Sequence, residues 1–504
     1  MKRKISALFL FIGALFRGHG LPSPAIWYDE AYSLELTRLG FFDLIRTQFL
    51  DFNPPLWEMV LFPFARISES VTMLRLPSLI TSVVALWVFW LIMDELEFSD
   101  NQRLWASLLA GLLPGHFLIA QDARVYALLS LLYLLAILFA IRGQLLGLTA
   151  VSGLMLYSHG TAGVLAVSVY LLVWYMHPNK LRHIIISGLA AFGSWLPWLP
   201  SLLDASGEFW LNSLTSQYFF MSTLQAVWAE SLPIFLKGPA FFLMLFYGLV
   251  GVVITLSVSL PVLYRVAAEN IHQGRAATSL LGLEKVAARL SPPERPEPLP
   301  EDQPIPPLGI VTVIPLALMV LVSLVYANVV FYRPLTVFLL PFSLWLGAST
   351  APVDVTWYKL ILPAAVTLLI AVGVIGWDPA KKGGHLDLVA QEIAGKLSPC
   401  DAVFYATGTA ALPIEYYIRS PHQTYIMDAD QHDGLLQNDI QDAFGYRRAL
   451  PEEVSPEFVV IPRDPIIEPE VADHIDAYVD QADVLRSTRI NYWQAAPIDI
   501  YHLK

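Results

Sequence analysis

The stretch Trp27-Tyr28-Asp29-Glu30-Ala31-Tyr32-Ser33 sets two adjacent carboxylates among aromatic rings. A positioned carboxylate takes a proton from an attacking hydroxyl or amine, or gives a hard cation its oxygen ligands. The stretch follows an apolar segment, 5–21, that opens with Lys2-Arg3-Lys4 and holds no acid. A basic start keeps its end in the cytoplasm, so Asp29 and Glu30 are expected to emerge on the far side of a membrane. The plainer explanation is an acidic pair opening a helix, where the helix dipole favours negative charge. Other polar residues returning to the same side argue against it.

Three further stretches supply those residues. Gln121-Asp122-Ala123-Arg124-Val125-Tyr126 ends one apolar segment and opens the next. Charges at a membrane boundary are expensive unless they pair or work, and a local Asp122–Arg124 pair is the structural alternative. Tyr157-Ser158-His159-Gly160 falls at the next outer turn. A lone histidine there is more often hydrogen-bonded than catalytic. Phe331-Tyr332-Arg333-Pro334 follows a later apolar segment. Its arginine either snorkels toward headgroups or uses its planar fork on a phosphate. Together, acids, arginines and a histidine at successive outer turns describe a polar cavity at the outer membrane face. Such a cavity suits a phosphate whose tail lies in lipid.

The elements that must position these residues are membrane spans. The chain has 504 residues, 56% hydrophobic and 15% charged, with a mean hydropathy of +0.55. Soluble domains carry about a quarter of their residues as charges. A span needs about 20 apolar residues. The candidates are 5–21, 71–93, 104–120, 125–141, 145–157, 160–176, 184–200, 239–264, 308–330, 335–350 and 357–376, about 11 in all. Counted from a cytoplasmic N-terminus, the inner loops hold Arg103, Arg142, Lys180, Arg182, Arg265, Arg275, Lys285, Arg289 and Lys359, as the positive-inside rule asks. The first segment reads as an uncleaved helix rather than a signal peptide, because no small-x-small site precedes Trp27.

Outer loop 22–70 is long, and its pieces Phe41–Leu50 and Pro55–Ile67 read as interfacial helices on the membrane surface. Asn53-Pro54-Pro55 starts the second. Loop 266–307 is proline-rich, charged and cytoplasmic, and reads as a connector. The membrane domain is thus 1–376. After Trp377 the chain becomes soluble in character. A helix over Leu386–Leu397, strands at Ala402–Tyr405 and Phe458–Ile461, and a helix around Ala410–Arg419 predict a small extracytoplasmic α/β domain, 377–504. Gly383-Gly384 reads as a turn rather than a phosphate loop. The net charge of −12 gives no hint of nucleic-acid binding, and the one cysteine, Cys400, excludes an internal disulfide.

The ordered set Trp27-Tyr-Asp29-Glu30-Ala-Tyr32, Asp51-Phe-Asn53-Pro54-Pro55-Leu56-Trp57, Arg75-Leu-Pro77-Ser78 and Gln121-Asp122-Ala-Arg124-Val-Tyr126 resembles the C-type (GT-C) membrane glycosyltransferases. Within them it is similar to the branch of protein O-mannosyltransferases and bacterial aminoarabinose lipid A transferases. The match covers about residues 1–200, and a weaker Tyr332-Arg333 and Pro341 pattern extends it to about 350. The resemblance implies a polyprenyl-phosphate sugar donor, an inverting transfer, and a lipid, glycan or protein acceptor on the extracytoplasmic face. By the resemblance, Asp29 matches the catalytic acid of the first loop and Glu30 its second member. Asp122 stands where the family usually shows glutamate, so its carboxylate reaches about one bond less far. Arg124, Tyr126 and Arg333 match positions facing the donor phosphate, Tyr32 the substrate side, and His159 a less regular histidine position.

The expected function is therefore glycosyl transfer in a multi-pass plasma membrane, of the bacterial inner type given the short loops. Asp29 is the expected general base, with Glu30 or Asp122 orienting acceptor or base. Asp29, Glu30 and Asp122 are also hard oxygen ligands of the kind a divalent metal takes, although the resemblance implies no clear metal requirement. Two alternatives remain at this point. One is a metal-dependent oligosaccharyl or polymerising transferase. The other is a transporter or flippase of lipid-linked sugars, against which stand the boundary position of the charges and the lack of a visible repeat.

Overall fold

The computed structural model describes residues 2–23, 25–50, 53–204, 307–325, 332–349, 386–418, 420–427, 432–433, 436–463, 469–490 and 497–504. The expected spans 239–264 and 357–376, the connector 266–307 up to residue 306, Gly383-Gly384, residues 326–330 of span 308–330, residue 350 of span 335–350 and Phe331 lie outside them.

The helical part begins with α1 (Lys2–Gly18), α2 (Tyr28–Arg38), α3 (Phe41–Gln48), α4 (Leu56–Ile67), α5 (Val71–Glu95) and α6 (Asp100–Leu112). It continues with α7 (Pro114–Ala120), α8 (Tyr126–Ile141), α9 (Leu145–Leu156), α10 (Ala162–Met176), α11 (Leu181–Trp195) and α12 (Leu199–Asp204). After the gap come α13 (Ile310–Val325), α14 (Tyr332–Thr336) and α15 (Leu339–Ser349).

The helix α5 sets the scale. Its 25 residues rise about 37 Å, enough to cross a hydrocarbon core of about 30 Å. Among the described residues, two helices pass on length and composition, Val71–Glu95 and Pro178–Ser201; a third joins them if the bent pair α6–α7 counts as one span. The remaining apolar helices are shorter. At twelve residues, α9 rises only about 18 Å.

The expected span 104–120 is broken into α6 and α7, which meet at 51°. Pro114 explains the break: it has no N–H to give, and it forces Leu113 into an extended conformation (φ −68°, ψ 124°). Helices α1 and α6 meet glycine against glycine. A Cβ on Gly13 would lie 2.2 Å from the Gly111 carbonyl oxygen, so only bare backbones approach this closely.

The charged ends sort along α5. Arg103 and Arg3 reach Asp94 at 2.6 and 3.1 Å, and Arg142 reaches Glu95 at 2.8 Å. Arg75, beside the acidic stretch, lies about 28 Å away along the same helix. The basic turns and the acidic site therefore occupy opposite ends of the bundle.

Loop 22–70 carries the two expected helices, α3 and α4, and a third, α2, that opens on the acidic pair. On α3, Phe41 and Phe42 are exposed, as is Phe49 just past its end, while Leu44 is fully buried, the face pattern of a helix lying on a surface.

The C-terminal part contains α16 (Leu386–Ala394), β1 (Ala402–Tyr405), α17 (Gly408–Glu415), β2 (Gln423–Met427), β3 (His432–Asp433), β4 (Leu436–Gln437), α18 (Asn438–Ala443), β5 (Arg447–Ala449), α19 (Pro451–Val454), β6 (Phe458–Pro462), α20 (Pro469–Gln481), β7 (Val484–Ile490) and β8 (Ile498–Leu503). Six strands form one sheet in the order β5-β2-β1-β6-β8-β7. The first four run parallel, and β8 and β7 add antiparallel. Apolar layers cover both faces. Val389, Ile393, Ala411 and Ile414 lie on one, Ile475 and Val479 on the other. This is the helix–sheet–helix layering of an α/β unit. Strand β1 is buried throughout and β6 is buried up to Pro462, which made them legible as apolar runs. Strands β2, β3, β4, β5, β7 and β8 were not expected, and of these β7 is an edge strand with no buried residue.

Candidate active site

The chain enters α2 from an extended Trp27 (φ −118°, ψ 172°). Asp29 and Glu30 therefore fall in its first turn, where the dipole favours acids. Neighbours on a helix turn about 100° apart, so the two carboxylates part company.

Glu30 goes inward. Its side chain is 1% exposed and receives Arg75, itself 0% exposed, through two hydrogen bonds of 2.7 and 2.5 Å. The Ala123 amide adds a third at 2.9 Å. Arg75 also donates to the carbonyls of Leu21 and Ala25. The pair thus ties the entry to α2, helix α5 and the turn before α8 into one unit. A buried charge pair of this kind is costly to break by removing one partner.

Asp29 stays partly open, with its side chain 20% exposed. Its Oδ2 accepts from Arg333 Nη1 at 2.6 Å. Arg124 Nε lies 4.0 Å from the same oxygen. That nitrogen is buried and has no hydrogen-bond partner among the described residues. Arg124 Nη1 reaches the Asp29 carbonyl at 3.4 Å and the Ser33 hydroxyl at 3.3 Å, and Ser33 donates to Glu58 at 3.1 Å. The Arg333 guanidinium carbon also lies over the Trp27 ring, 3.8 Å from its centre.

Asp122 holds the Trp27 indole N–H at 3.1 Å and is buried. Its own carbonyl receives the Ser78 hydroxyl, and Trp57 donates to the Ala123 carbonyl at 3.0 Å. Gln121 donates to the carbonyls of Phe16, Arg17 and His19. The turn 121–125 is thereby fixed on every side before it delivers Arg124.

Tyr126 opens α8, buried, with its ring 5.4 Å from that of His159. His159 sits in the turn before α10. Its Nδ1 accepts from the Thr161 amide at 3.1 Å, which leaves the proton on Nε2. Burial first, and the charge of Arg124 second, push its imidazole down to about 4. It is neutral at pH 7. Tyr32 meets Phe444 of the C-terminal part edge-on at 5.7 Å, and Tyr28 at 6.2 Å. Its ring therefore belongs to the contact between the two parts of the chain.

The structure thus gathers Asp29, Arg124 and Arg333 around one carboxylate. Tyr126 and His159 pack beside each other on the Arg124 side. Glu30 and Asp122 are each drawn to a different partner. Among the described residues, no three His, Cys, Asp or Glu side chains converge to hold a metal ion. Sequence reasoning gave no site role to Trp27, Ser33, Glu58 or Arg75. Glu58 did carry a signal, as an acid within the apolar run Leu56-Trp57-Glu58-Met59-Val60-Leu61.

No family model matches the chain, and no curated protein matches it. Among solved structures it is similar to the crystal structure of ArnT from Cupriavidus metallidurans in the apo state, at 16% identity and a TM-score of 0.44, over 98% of this chain and 97% of that one. It is also similar to the structure of ArnT from the same organism bound to undecaprenyl phosphate, at 13% identity and a TM-score of 0.45, with the same coverage. At this identity and TM-score the likeness carries no inference about chemistry.

Proposed function

We propose that the protein is an integral membrane glycosyltransferase. It moves a sugar from a polyprenyl-phosphate donor to an extracytoplasmic lipid, glycan or protein acceptor, with inversion at the sugar carbon. One observation carries the reading. The Asp29 carboxylate sits beside two guanidiniums, Arg333 at 2.6 Å and Arg124 at 4.0 Å, and the nearer Arg124 nitrogen lacks a hydrogen-bond partner among the described residues. A base beside two phosphate-binding forks is what glycosyl transfer from a lipid phosphate requires.

In this mechanism the donor phosphate binds across Arg124 and Arg333. Arg333 turns from Asp29 toward the phosphate, which frees the carboxylate. Asp29 takes the proton of the acceptor hydroxyl or amine as that atom bonds to the sugar carbon. The bond from that carbon to the phosphate oxygen breaks, and the polyprenyl phosphate leaves with the electron pair. Charge-assisted hydrogen bonds from both arginines stabilise the growing negative charge. Attack from the face opposite the leaving group inverts the carbon. Neutral His159 and the Tyr126 ring wall the Arg124 side. Glu30 acts through Arg75, and Asp122 through Trp27, as positioning residues rather than as groups that touch substrate. The N-terminus is cytoplasmic, and the site and the C-terminal domain face outward, as the basic turns at the opposite end of α5 support.

The test is transfer of radiolabelled sugar from a panel of polyprenyl-phosphate sugars in proteoliposomes, with membrane extract as acceptor. Wild type moves label off the lipid, and Asp29→Asn does not. Equal turnover by the two removes Asp29 from the chemistry. No turnover of any donor by wild type points to transport instead.

A further inference from the structure

Among the described residues between α1 and α2, 19–22 make turns, with the Ser23 amide donating to the Gly20 carbonyl, and 25–27 belong to no helix or strand. Their position is set by side chains that reach in from elsewhere. Arg75 takes the carbonyls of Leu21 and Ala25, and Asp122 takes the Trp27 indole. Both belong to the helical part. The amide of Ile26, which is 1% exposed, is held differently: it donates to the hydroxyl of Tyr417 at 2.7 Å. Tyr417 stands just past the end of α17, 391 residues further along the chain.

That contact is built from both sides. The ring of Tyr417 packs against the core of the helical part and against one layer of the C-terminal sheet, as does Tyr446. On α17, Ala411 and Ile414 face the sheet, while Leu412 belongs to the core of the helical part. Burial pushes the Tyr417 phenol up to about 12, so it remains a neutral hydroxyl at physiological pH. Neighbouring Tyr416 makes a different contact, donating to the Glu69 carbonyl at 2.8 Å on an exposed edge far from Asp29 in sequence.

We propose that Tyr417 is a positioning residue for Asp29, and that the C-terminal domain is through it a working part of the catalytic unit. Its hydroxyl fixes the amide next to Trp27. Trp27 is both the residue from which α2 starts and the shelf on which Arg333 lies. Releasing that amide lets the first turn of α2 shift, and Asp29 with it, relative to the two arginines. This inference rests on the glycosyl-transfer reading for its effect on rate but not for its effect on structure.

The experiment uses the full-length protein in proteoliposomes, comparing wild type, Tyr417→Phe and Tyr416→Phe. Hydrogen exchange read by mass spectrometry should quicken in peptides covering 22–30 for Tyr417→Phe alone, with peptides of the C-terminal sheet unchanged. In sugar transfer, Tyr417→Phe should lower kcat tenfold to a hundredfold, the scale of a small misplacement of a reacting group. Its KM for the donor should stay within about twofold, because both arginines remain. Tyr416→Phe should match wild type in kcat. Unchanged exchange at 22–30, or faster exchange with an unchanged kcat, overturns the proposal. A fall in kcat shared equally by Tyr416→Phe also overturns it, because general loosening of the contact then explains the result. If wild type transfers no sugar, the glycosyl-transfer reading fails by itself, and the exchange comparison still decides whether Tyr417 holds the Asp29 strip.

Discussion

Asp499 and Asp29 each lie between two arginines, and they differ in what is left over. In the C-terminal sheet, Asp499 accepts from Arg463 at 2.7 Å and from Arg489 at 2.5 and 2.7 Å. Arg463 turns its remaining fork onto Asp476 in two bonds of 2.7 Å. The cluster is closed, with strong donors meeting strong acceptors across the paired strands β7 and β8. In the helical part, Asp29 has one short bond, to Arg333. Arg124 stands 4.0 Å off with a buried N–H unengaged among the described residues. A buried donor without a partner carries a desolvation penalty of about 1–3 kcal/mol or more for a charged group. The same residue types thus close on one another in one place and leave a buried N–H unengaged among the described residues in the other.

The sharpest way to break that comparison is to neutralise each acid. Asp29→Asn should reduce sugar transfer by about 10²–10⁴-fold, the usual worth of a positioned acid–base group, with the melting temperature little changed. Asp499→Asn should leave kcat of the folded protein as it was and lower the melting temperature of the C-terminal domain. Opposite outcomes would exchange the two roles.

Glu30→Gln tests the third carboxylate, which is buried rather than open. Removing its charge takes from buried Arg75 the carboxylate to which it donates twice, and should destabilise the helical part by about 3–5 kcal/mol. It should appear first as a fall in thermal stability or in yield from detergent. A fully stable but inactive Glu30→Gln protein would instead assign Glu30 a direct part in the reaction.

Arg124→Lys keeps the charge but loses the fork. It should weaken transfer roughly tenfold to a hundredfold, less than the 10²–10³-fold typical of deleting a whole stabilising donor. Wild-type kinetics in this variant would mean that the unengaged nitrogen does not meet the donor phosphate.

The smallest effect concerns pH. Burial works to raise the Asp499 carboxyl, but hydrogen bonds and charge from Arg489 and Arg463 outweigh it and hold it below the usual carboxylate range. A carboxyl lowered by folding contributes stability above its unfolded value, about 3.9, and loses it as pH falls through the folded value. Acid titration of the melting temperature should therefore show a loss below about pH 4 that is absent in Asp499→Asn. A pH profile common to both proteins would detach the cluster from acid stability.

Much of this was legible in the sequence, and the physical reasons differ by region. Helices α5, α8 and α10 could be read directly because long apolar runs have one stable form in lipid. Strands β1 and β6 were readable because both of their faces are buried. The edge strand β7 was not, since a strand with no buried residue carries no apolar pattern. The bend between α6 and α7 was missed because hydropathy ignores backbone geometry, although Pro114 stood in plain view. Asp29, Arg124 and Arg333 could each be singled out as charges where charge is costly. Glu30 and Asp122 drew the same attention, and their neighbours alone could not show that one goes to Arg75 and the other to Trp27.

What the sequence determined by itself is the inventory: apolar helices, a C-terminal α/β part, and charges placed at the ends of apolar segments. Those follow from local composition and the cost of burying polar groups. What only the tertiary structure decided is the pairing. One turn of α2 sends Asp29 to an arginine 304 residues away and Glu30 to another 45 residues away. The Ile26 amide goes to a tyrosine 391 residues away. Partnerships over such separations depend on how helices pack and rotate against each other, and no local pattern in the chain encodes that.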